Sequence, residues 1–318
     1  MESSFLKLLI SPESGNPLSV ESDSNGQPVA LSDSNGHRYP IRNSIVRFVP
    51  DDDFAESFGF QWNRFEVRQE GEDEATFEAK TGVRLSELAN RLVMDAGCGG
   101  GRYLQVASQN GATILGVDRS SAVEKARQMC KAHRNVEIIQ ADLANLPVKP
   151  GQFDLVFSIG VIHHSPDPVV VLRSLAKMVK PGGRLTIWVY RKATWPQEVV
   201  NNLLRGIASR ISHRTLAMCC KVAGVIGGIP LISKVLNKIV SFSAHPNYEN
   251  RVCDTFDWYA PVYQSHHTPP EVIGWFRELG FTEIVELPPE KTGRWYRLFH
   301  RMGLLIGSGV NVTGIRAK

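Results

Sequence analysis

Three carboxylates and a run of glycines hold most of the chemistry in this chain. In "LVMDAGCGGGRY", residues 92–103, four glycines fall within positions 97–101, interrupted only by Cys98. Backbone without Cβ atoms can approach a ligand closely. Glycines at the alternate positions Gly97, Gly99 and Gly101 are more than a plain strand-to-helix turn needs. Asp95, two residues before the first of them, suits a ligand that carries an ammonium group. "LGVD" ends on Asp118, where a carboxylate accepts hydrogen bonds from ribose hydroxyls, as in dinucleotide enzymes. "IIQAD" ends on Asp142, where a carboxylate can accept from an adenine amino group. In "FDLVFSIGVIHH", His163 and His164 are the leading candidates for a general base acting on a hydroxyl or amine that must lose a proton. The plainer alternative is that they pack under the ligand or hydrogen-bond their own loop.

These groups need a scaffold that gathers strand ends, and the hydrophobic pattern supplies one. Between about 83 and 190, "RLVMDAG", "TILGVD", "VEIIQAD", "FDLVFSIG" and "RLTIWVY" read as strands one to five. "GRYLQVASQNG" and "SAVEKARQMCKAH" read as helices between them, and "VKPGG" as a helix end with a Pro-Gly-Gly turn. Strands spaced by helices imply right-handed crossovers and a parallel sheet with helices on both faces, an α/β fold. Ligands bind such sheets at the carboxyl ends of the strands. Asp95, Asp118, Asp142 and the trio Ser158, Ile159 and Gly160 all fall at such ends. "PEVIGWFRELGFTEIVEL" and "GVNVTGIRAK" read as a helix and two strands that finish the sheet.

The flanking regions differ in character. Residues 1–50 are rich in Ser, Asn, Gly and Pro, and turn signals at Ser14-Gly15, Asn25-Gly26 and Asn35-Gly36 predict small β-hairpins. "RYPIRNSIVRFVP" reads as one extended strand that closes this unit. The unit looks separable, so removing residues 1–48 is expected to leave ligand binding intact. In the region 51–82, Phe58, Trp62 and Phe65 share a helical face, and Gln61, Trp62 and Arg64 are candidates for closing over a ligand. Residues 192 to about 250 form an apolar helical insertion, interrupted by Lys221, Pro230 and Lys234. It is too broken for a membrane span of about 20 apolar residues. It fits a lid over an apolar acceptor pocket, or helices lying on a membrane surface. "TFDWYAPVYQSHH" then reads as a loop. Trp258, Tyr259, Tyr263 and His267, with Asp257, His266 and Tyr190 of the fifth strand, are candidates to line a pocket.

Across its 318 residues the chain is 42% hydrophobic and 21% charged, an ordinary globular composition. Its net charge of +4 is small for this length and not concentrated in one run, which disfavours a nucleic-acid partner. Cys98, Cys130, Cys219, Cys220 and Cys253 have neither metal-site nor disulfide spacing. With only a very short N-terminal apolar run, that points to reduced thiols and a cytoplasmic protein. Cys98 reads as a small buried thiol, since nothing nearby would activate it.

A dinucleotide fingerprint beginning at Gly97 would need a small residue where Arg102 stands, and there is no Tyr-x-x-x-Lys of an NAD-dependent oxidoreductase. In this order the motifs instead resemble class I S-adenosylmethionine-dependent methyltransferases, over roughly residues 90–190. "FGFQWNRF", "GVIHHSPDP" and "TFDWYAPVYQSHHTPPEVIGWFRELGF" extend the likeness to a bacterial subgroup with a Trm112-like segment before the methyltransferase domain. The resemblance implies S-adenosylmethionine as cofactor and a Rossmann-like seven-stranded methyltransferase sheet over residues 83–318, with the insertion after the fifth strand. It places the methionine end against Asp95, Gly97, Cys98, Gly99 and Gly101. The ribose would lie against Asp118 with Arg119 beside it, the adenine against Asp142 and Leu143, and Ser158 and Ile159 near the ligand. Residues 1–50 look like the zinc-ribbon-like unit of the Trm112 type. Where such units carry two Cys-x-x-Cys pairs, this chain has Ser11, Ser14, Ser32 and Asn35, so tetrahedral zinc ligation is not expected.

Three classes of function compete. The first is methyl transfer to an oxygen or nitrogen of a small metabolite, with the apolar insertion favouring a hydrophobic or lipid-linked acceptor and peripheral membrane contact. The second is a tRNA or protein methyltransferase, because Trm112-type domains are associated with such enzymes as activators. Against it, "SIGVIHH" stands where an Asn-Pro-Pro-Tyr type motif would be needed. The third is a catalytically silent cofactor-binding protein, which the intact glycines and carboxylates argue against.

Overall fold

The computed structural model describes residues 3–50, 59, 72–193, 195–208, 210–237, 239–288 and 309–318. Gln61, Trp62 and Arg64 lie outside the described residues.

The N-terminal unit holds a short helix, α1 (Ser3–Leu6), and strands β1 (Ser19–Ser22), β2 (Pro28–Ser32), β3 (Arg38–Arg42) and β4 (Ile45–Arg47), each antiparallel to the next. One turn sequence, Asp-Ser-Asn-Gly, occurs twice, at 23–26 and 33–36. In each copy the aspartate accepts the N–H groups two and four residues on, all at 2.9 Å. Such side-chain turns are what Asp and Asn favour between strands. "RYPIRNSIVRFVP" is not the single strand expected. It folds back at Asn43-Ser44, whose φ angles of 52° and 61° are those of a two-residue hairpin turn.

Hydrogen bonds tie the turns where cysteine pairs were considered. Ser14 Oγ donates to Asp33 at 2.6 Å, and the Ser11 and Tyr39 hydroxyls are 2.8 Å apart. Asp33, rather than Ser32, is the residue facing Ser14. Burial pushes the Asp33 carboxyl up, but hydrogen bonds from Ser14, His37 and Ser11 outweigh this and hold it well below the usual carboxylate range.

The rest of the chain follows the alternation. Helix α2 (Glu72–Thr81) precedes β5 (Leu92–Ala96), α3 (Arg102–Gln109), β6 (Thr113–Asp118), α4 (Val123–Met129) and β7 (Val136–Gln140). Then come β8 (Phe153–Ile159), α5 (Pro168–Met178) and β9 (Val179–Tyr190). Asp167 caps α5 by accepting from Val169 and Val170 N–H, and Pro168 opens the helix. The expected Pro-Gly-Gly turn is absorbed into β9, as a register shift around Gly182 at φ 76°. After the insertion, α10 (Pro269–Glu278), β10 (Phe281–Glu286) and β11 (Gly309–Arg316) complete the chain.

Strands β5 to β11 form the seven-stranded sheet, in the order β7-β6-β5-β8-β9-β11-β10, with only β11 antiparallel to its neighbours. Side chains alternate across it. Met94, Leu115, Ile139 and Val156 pack on one face, and their predecessors Val93, Ile114, Ile138 and Leu155 on the other. Both faces are covered, hence the near-continuous apolar runs in the sequence. The N-terminal unit is joined to this sheet. Val46 and Arg47 of β4 pair in parallel with Ile139 and Gln140 of β7, so eleven strands form one sheet.

The insertion contains α6 (Trp195–Ala208), α7 (His213–Gly227), α8 (Pro230–Leu236) and α9 (Tyr248–Tyr259), the last running past the expected end near 250. It has its own core, in which Leu216, Ala217 and Cys220 of α7 meet Val252, Cys253 and Phe256 of α9. The contact is close because Gly224 has no side chain: a Cβ there would lie 2.8 Å from Val252.

Candidate active site

The glycine loop leaves β5 at Ala96 and closes over the end of β6. Gly97 and Cys98 donate to the Val117 carbonyl at 2.7 and 3.1 Å, and Gly99 N–H donates to Asp118 Oδ2 at 2.8 Å. Gly97 has φ 92°, and a Cβ on it would sit 2.3 Å from the Val161 side chain. Gly101 has φ 88° and lies against α4, where a Cβ would meet the Ala126 Cα at 2.9 Å. These two glycines are therefore required by packing as well as by close approach of a ligand. Arg102 opens α3 and ion-pairs with Asp73 of α2.

Asp95 lies at the floor of this loop. It is 3% exposed, and its Oδ2 has no hydrogen-bond partner. Burial, with Asp118 close by, holds its carboxyl well above the usual range. Burial also pushes Asp118 up, against hydrogen bonds from Ser120 N–H (2.8 Å), Ser120 Oγ (2.7 Å) and Gly99. An unpartnered buried carboxylate oxygen is costly, and a ligand ammonium at the loop would offset that cost. Among the loop residues, this orphan acceptor is what fits an S-adenosylmethionine methionine end.

The remaining cofactor-side residues fall into two groups. Asp142 accepts from Arg119 at 2.5 Å and from Ala144 N–H at 2.8 Å. A carboxylate has about four acceptor positions, so an adenine amine can still be met. Arg119 is thereby engaged with Asp142. Leu143 is buried beside it, and Ile159 is half-buried at the end of β8. Cys98 is buried, and burial pushes its thiol well up, as suits a packed and unreactive sulfur. Ser158 departs from expectation. Its hydroxyl is fully buried and donates to the Ala96 carbonyl at 2.7 Å, tying β8 to β5 instead of facing a ligand.

On the acceptor side, His163 and His164 sit in one helical turn just beyond β8. His163 is wholly buried between Tyr190 and His164, with ring centroids 4.0 and 4.1 Å away, and neither ring nitrogen has a hydrogen-bond partner. Burial drives its pKa well down, so the ring is neutral. His164 Nδ1 lies 3.1 Å from the Tyr263 carbonyl, and its Nε2 lies 3.7 Å from Asp257 Oδ2. The same Asp257 oxygen accepts from the Tyr190 hydroxyl at 2.5 Å.

"TFDWY" is not a loop but the last turns of α9. There Asp257 reaches the sheet, and the Trp258 ring lies 6.1 Å from that of Tyr190. The structure turns Tyr259 away from this cluster. Its hydroxyl bonds Asn201 (3.1 Å) and the Ser241 carbonyl (2.8 Å) inside the insertion. His267 is likewise an anchor at the start of α10, held by Glu271 (2.9 Å), Ser265 (2.8 Å) and the Trp275 ring. Tyr263 is 40% exposed and contributes its carbonyl.

Two connections had no sequence signal. Arg205 of α6 donates to the Trp258 and Pro261 carbonyls at 2.8 and 2.9 Å, fixing the insertion against the cluster. Arg47 of β4 donates to Gln140 Oε1 (2.7 Å), and Gln140 Nε2 donates to the Arg119 carbonyl (2.8 Å). The N-terminal unit thus reaches the adenine side.

Comparison with known proteins agrees with this geometry. Residues 94–187 match the methyltransferase domain family. The chain is similar to the ubiquinone biosynthesis O-methyltransferases of Pseudomonas fluorescens SBW25 and Pseudomonas entomophila L48, each 36% identical over 101 residues. That match takes in 31% of this chain and 44% of each relative, under half their length. Among solved structures, it is similar to magnesium protoporphyrin IX methyltransferase from Synechocystis PCC 6803 with bound S-adenosylmethionine, at 16% identity and TM-score 0.46. That likeness covers 83% of this chain and 94% of the other, and is too loose to add to the family match. Through residues 94–187, the chain belongs to the class I S-adenosylmethionine-dependent methyltransferases.

Proposed function

We propose that this protein transfers a methyl group from S-adenosylmethionine to an oxygen or nitrogen of a small acceptor that is apolar or lipid-linked, met at or near a membrane surface. The observation that carries the cofactor half is Asp95, a buried carboxylate with an unpartnered oxygen at the floor of the glycine loop. The sulfonium cofactor supplies an already activated methyl, so the protein's work is mainly alignment, which can contribute several kcal/mol, up to roughly 7–11 in the best-oriented cases. Asp95, Asp118 and Asp142 hold the ammonium, ribose and adenine in register along three strand ends.

His164 is the residue to take the acceptor's proton. The Tyr263 carbonyl can only accept, so His164 Nδ1 carries the hydrogen and Nε2 is left facing Asp257. Asp257 would stabilise the imidazolium that forms. His163, buried and neutral, packs beneath His164 and is not the base. The O-methyltransferase names of the partial relatives support an oxygen acceptor, and the apolar insertion beside Tyr190 and Trp258 supports an apolar one.

Calorimetric titration with S-adenosylhomocysteine, against NAD as comparison, tests the cofactor half. Micromolar binding of the first alone is expected, with Asp118→Ala abolishing it. Binding of NAD, or unchanged affinity in that variant, would sink the assignment. The titration should also depend on pH. Asp95 is protonated below its raised pKa and then cannot pair with an ammonium, so affinity should rise with pH through that window. Stability of the ligand-free protein should move the other way. The folded state binds the extra proton there, so stability falls as pH rises from the ordinary carboxylate range through the raised value. For the acceptor, radiolabelled methyl groups should enter organic-extractable molecules; label in RNA or protein instead would overturn the acceptor class.

A further inference from the structure

The insertion presents apolar side chains to water in an ordered way. On α6, Trp195, Val199, Leu203 and Ile207 recur every four residues and are exposed, Trp195 to 79% and Leu203 to 67%. On α7, Met218, Val222 and Val225 form a narrower stripe at spacings of four and three, continued by Ile229. Ile232, Val235, Leu236 and Ile239 do the same along α8 and just beyond it. Twelve of the seventeen exposed large hydrophobics among the described residues lie between 195 and 239. They are not a face left over from core packing, because the opposite sides of α7 and α9 already fill the insertion's own core.

Charge indicates what meets these stripes. Residues 192–250 contain seven lysines and arginines and two glutamates. That excess is larger than the +4 of the whole chain, so the remainder is slightly acidic. Arg210, Arg214 and Lys221 are exposed between and beside the stripes. Helices that are apolar on one side, with cations around them, are the pattern of segments lying in the interface of an anionic bilayer. No helix among the described residues is long and apolar enough to cross a membrane, so the contact would be peripheral.

We infer that α6, α7 and α8 dock this protein on a bilayer surface bearing anionic headgroups, burying their exposed stripes at the boundary of the acyl chains. The inference rests on the proposed function only for its purpose, which is to bring the site beside Tyr190 and Asp257 to an acceptor held in lipid. Binding to lipid and binding of cofactor are read separately, so either can fail without the other.

The test uses the full chain and flotation with vesicles of phosphatidylglycerol and phosphatidylcholine, against pure phosphatidylcholine. At least tenfold more protein is expected on the anionic vesicles, falling with added salt as screening weakens the attraction. The combined variant Leu203→Asp, Val222→Asp and Val235→Asp should lose this binding at least tenfold, while its S-adenosylhomocysteine affinity and circular dichroism are unchanged. Val20→Asp, an exposed apolar position in the N-terminal unit, should float like the parent. Equal binding to both vesicle types, or no loss in the triple variant, would overturn the inference. So would light scattering that shows the parent self-associated through these stripes and the triple variant monomeric, with no vesicle binding by either; a second copy would then be what covers them.

Discussion

The N-terminal unit and the helical insertion invert what their compositions suggest. The first is polar, full of Ser and Asn, yet it is welded into the molecule. Phe5, Leu9, Leu31 and Val46 are buried in the same cluster as Met94, Leu115 and Ile139, and β4 is a strand of the central sheet. The second is apolar, yet it keeps a small core to itself and turns its largest side chains outward. What integrates a segment is where its few apolar residues point and whether its backbone joins a shared ladder, not how many apolar residues it has. The welded unit is therefore the one whose loss the site should feel.

The most disruptive test of this contrast is Val46→Asp. It places a carboxylate at a fully buried position between β4 and β7, a class of change that costs about 4 kcal/mol or more. Loss of the cooperative melt, and of S-adenosylhomocysteine binding with it, is expected. A stable variant with normal binding would restore the expectation that residues 1–48 are separable. Next is Leu216→Ala in the core of the insertion, expected to cost about 3 kcal/mol as a large-to-small change. Here cofactor affinity should hold even as the melting temperature falls, because the insertion's core is its own. Arg47→Met is expected to cost about 2 kcal/mol, a typical loss for a hydrogen bond to a charged group. It should also weaken S-adenosylhomocysteine several-fold in calorimetry, because Gln140 and then Arg119 lose their support. The smallest effect belongs to Leu203→Ser, an exposed position where denaturant titration should show a change within about 0.5 kcal/mol.

Much of this architecture was legible in the sequence, for local reasons. Strand and helix periods, the glycine loop and the carboxylates at strand ends are short-range patterns, and each landed where the alternation put it. The hairpin at Asn43-Ser44 escaped notice because its turn has no glycine, although asparagine is among the residues that tolerate positive φ. The helix ending at Tyr259 was readable in hindsight. Asn247 caps it by accepting from Asn250 N–H, and Val252, Cys253, Phe256 and Tyr259 recur at helical spacing on its buried side. The dense aromatic content of "TFDWY" drew attention to ligand contact instead. Tyr259 and His267 were good candidates by type, but their partners Asn201 and Glu271 come from packing and capping that type does not disclose. Pairings such as Tyr190 with Asp257, or Arg47 with Gln140, join residues far apart in the chain, and no window of sequence contains them.

The parallel pairing of β4 with β7 also sets an order of events as the chain is made. Arg47 leaves the ribosome 93 residues ahead of Gln140. At typical synthesis rates that gap lasts on the order of ten seconds. During it the first hairpins can close on themselves, but β4 has no partner on its outer side, and an unpaired edge invites the wrong neighbour. At three residues, Ile45–Arg47, that edge is about as short as a strand can be. The nascent unit can wait for its sheet while offering very little for another chain to grasp.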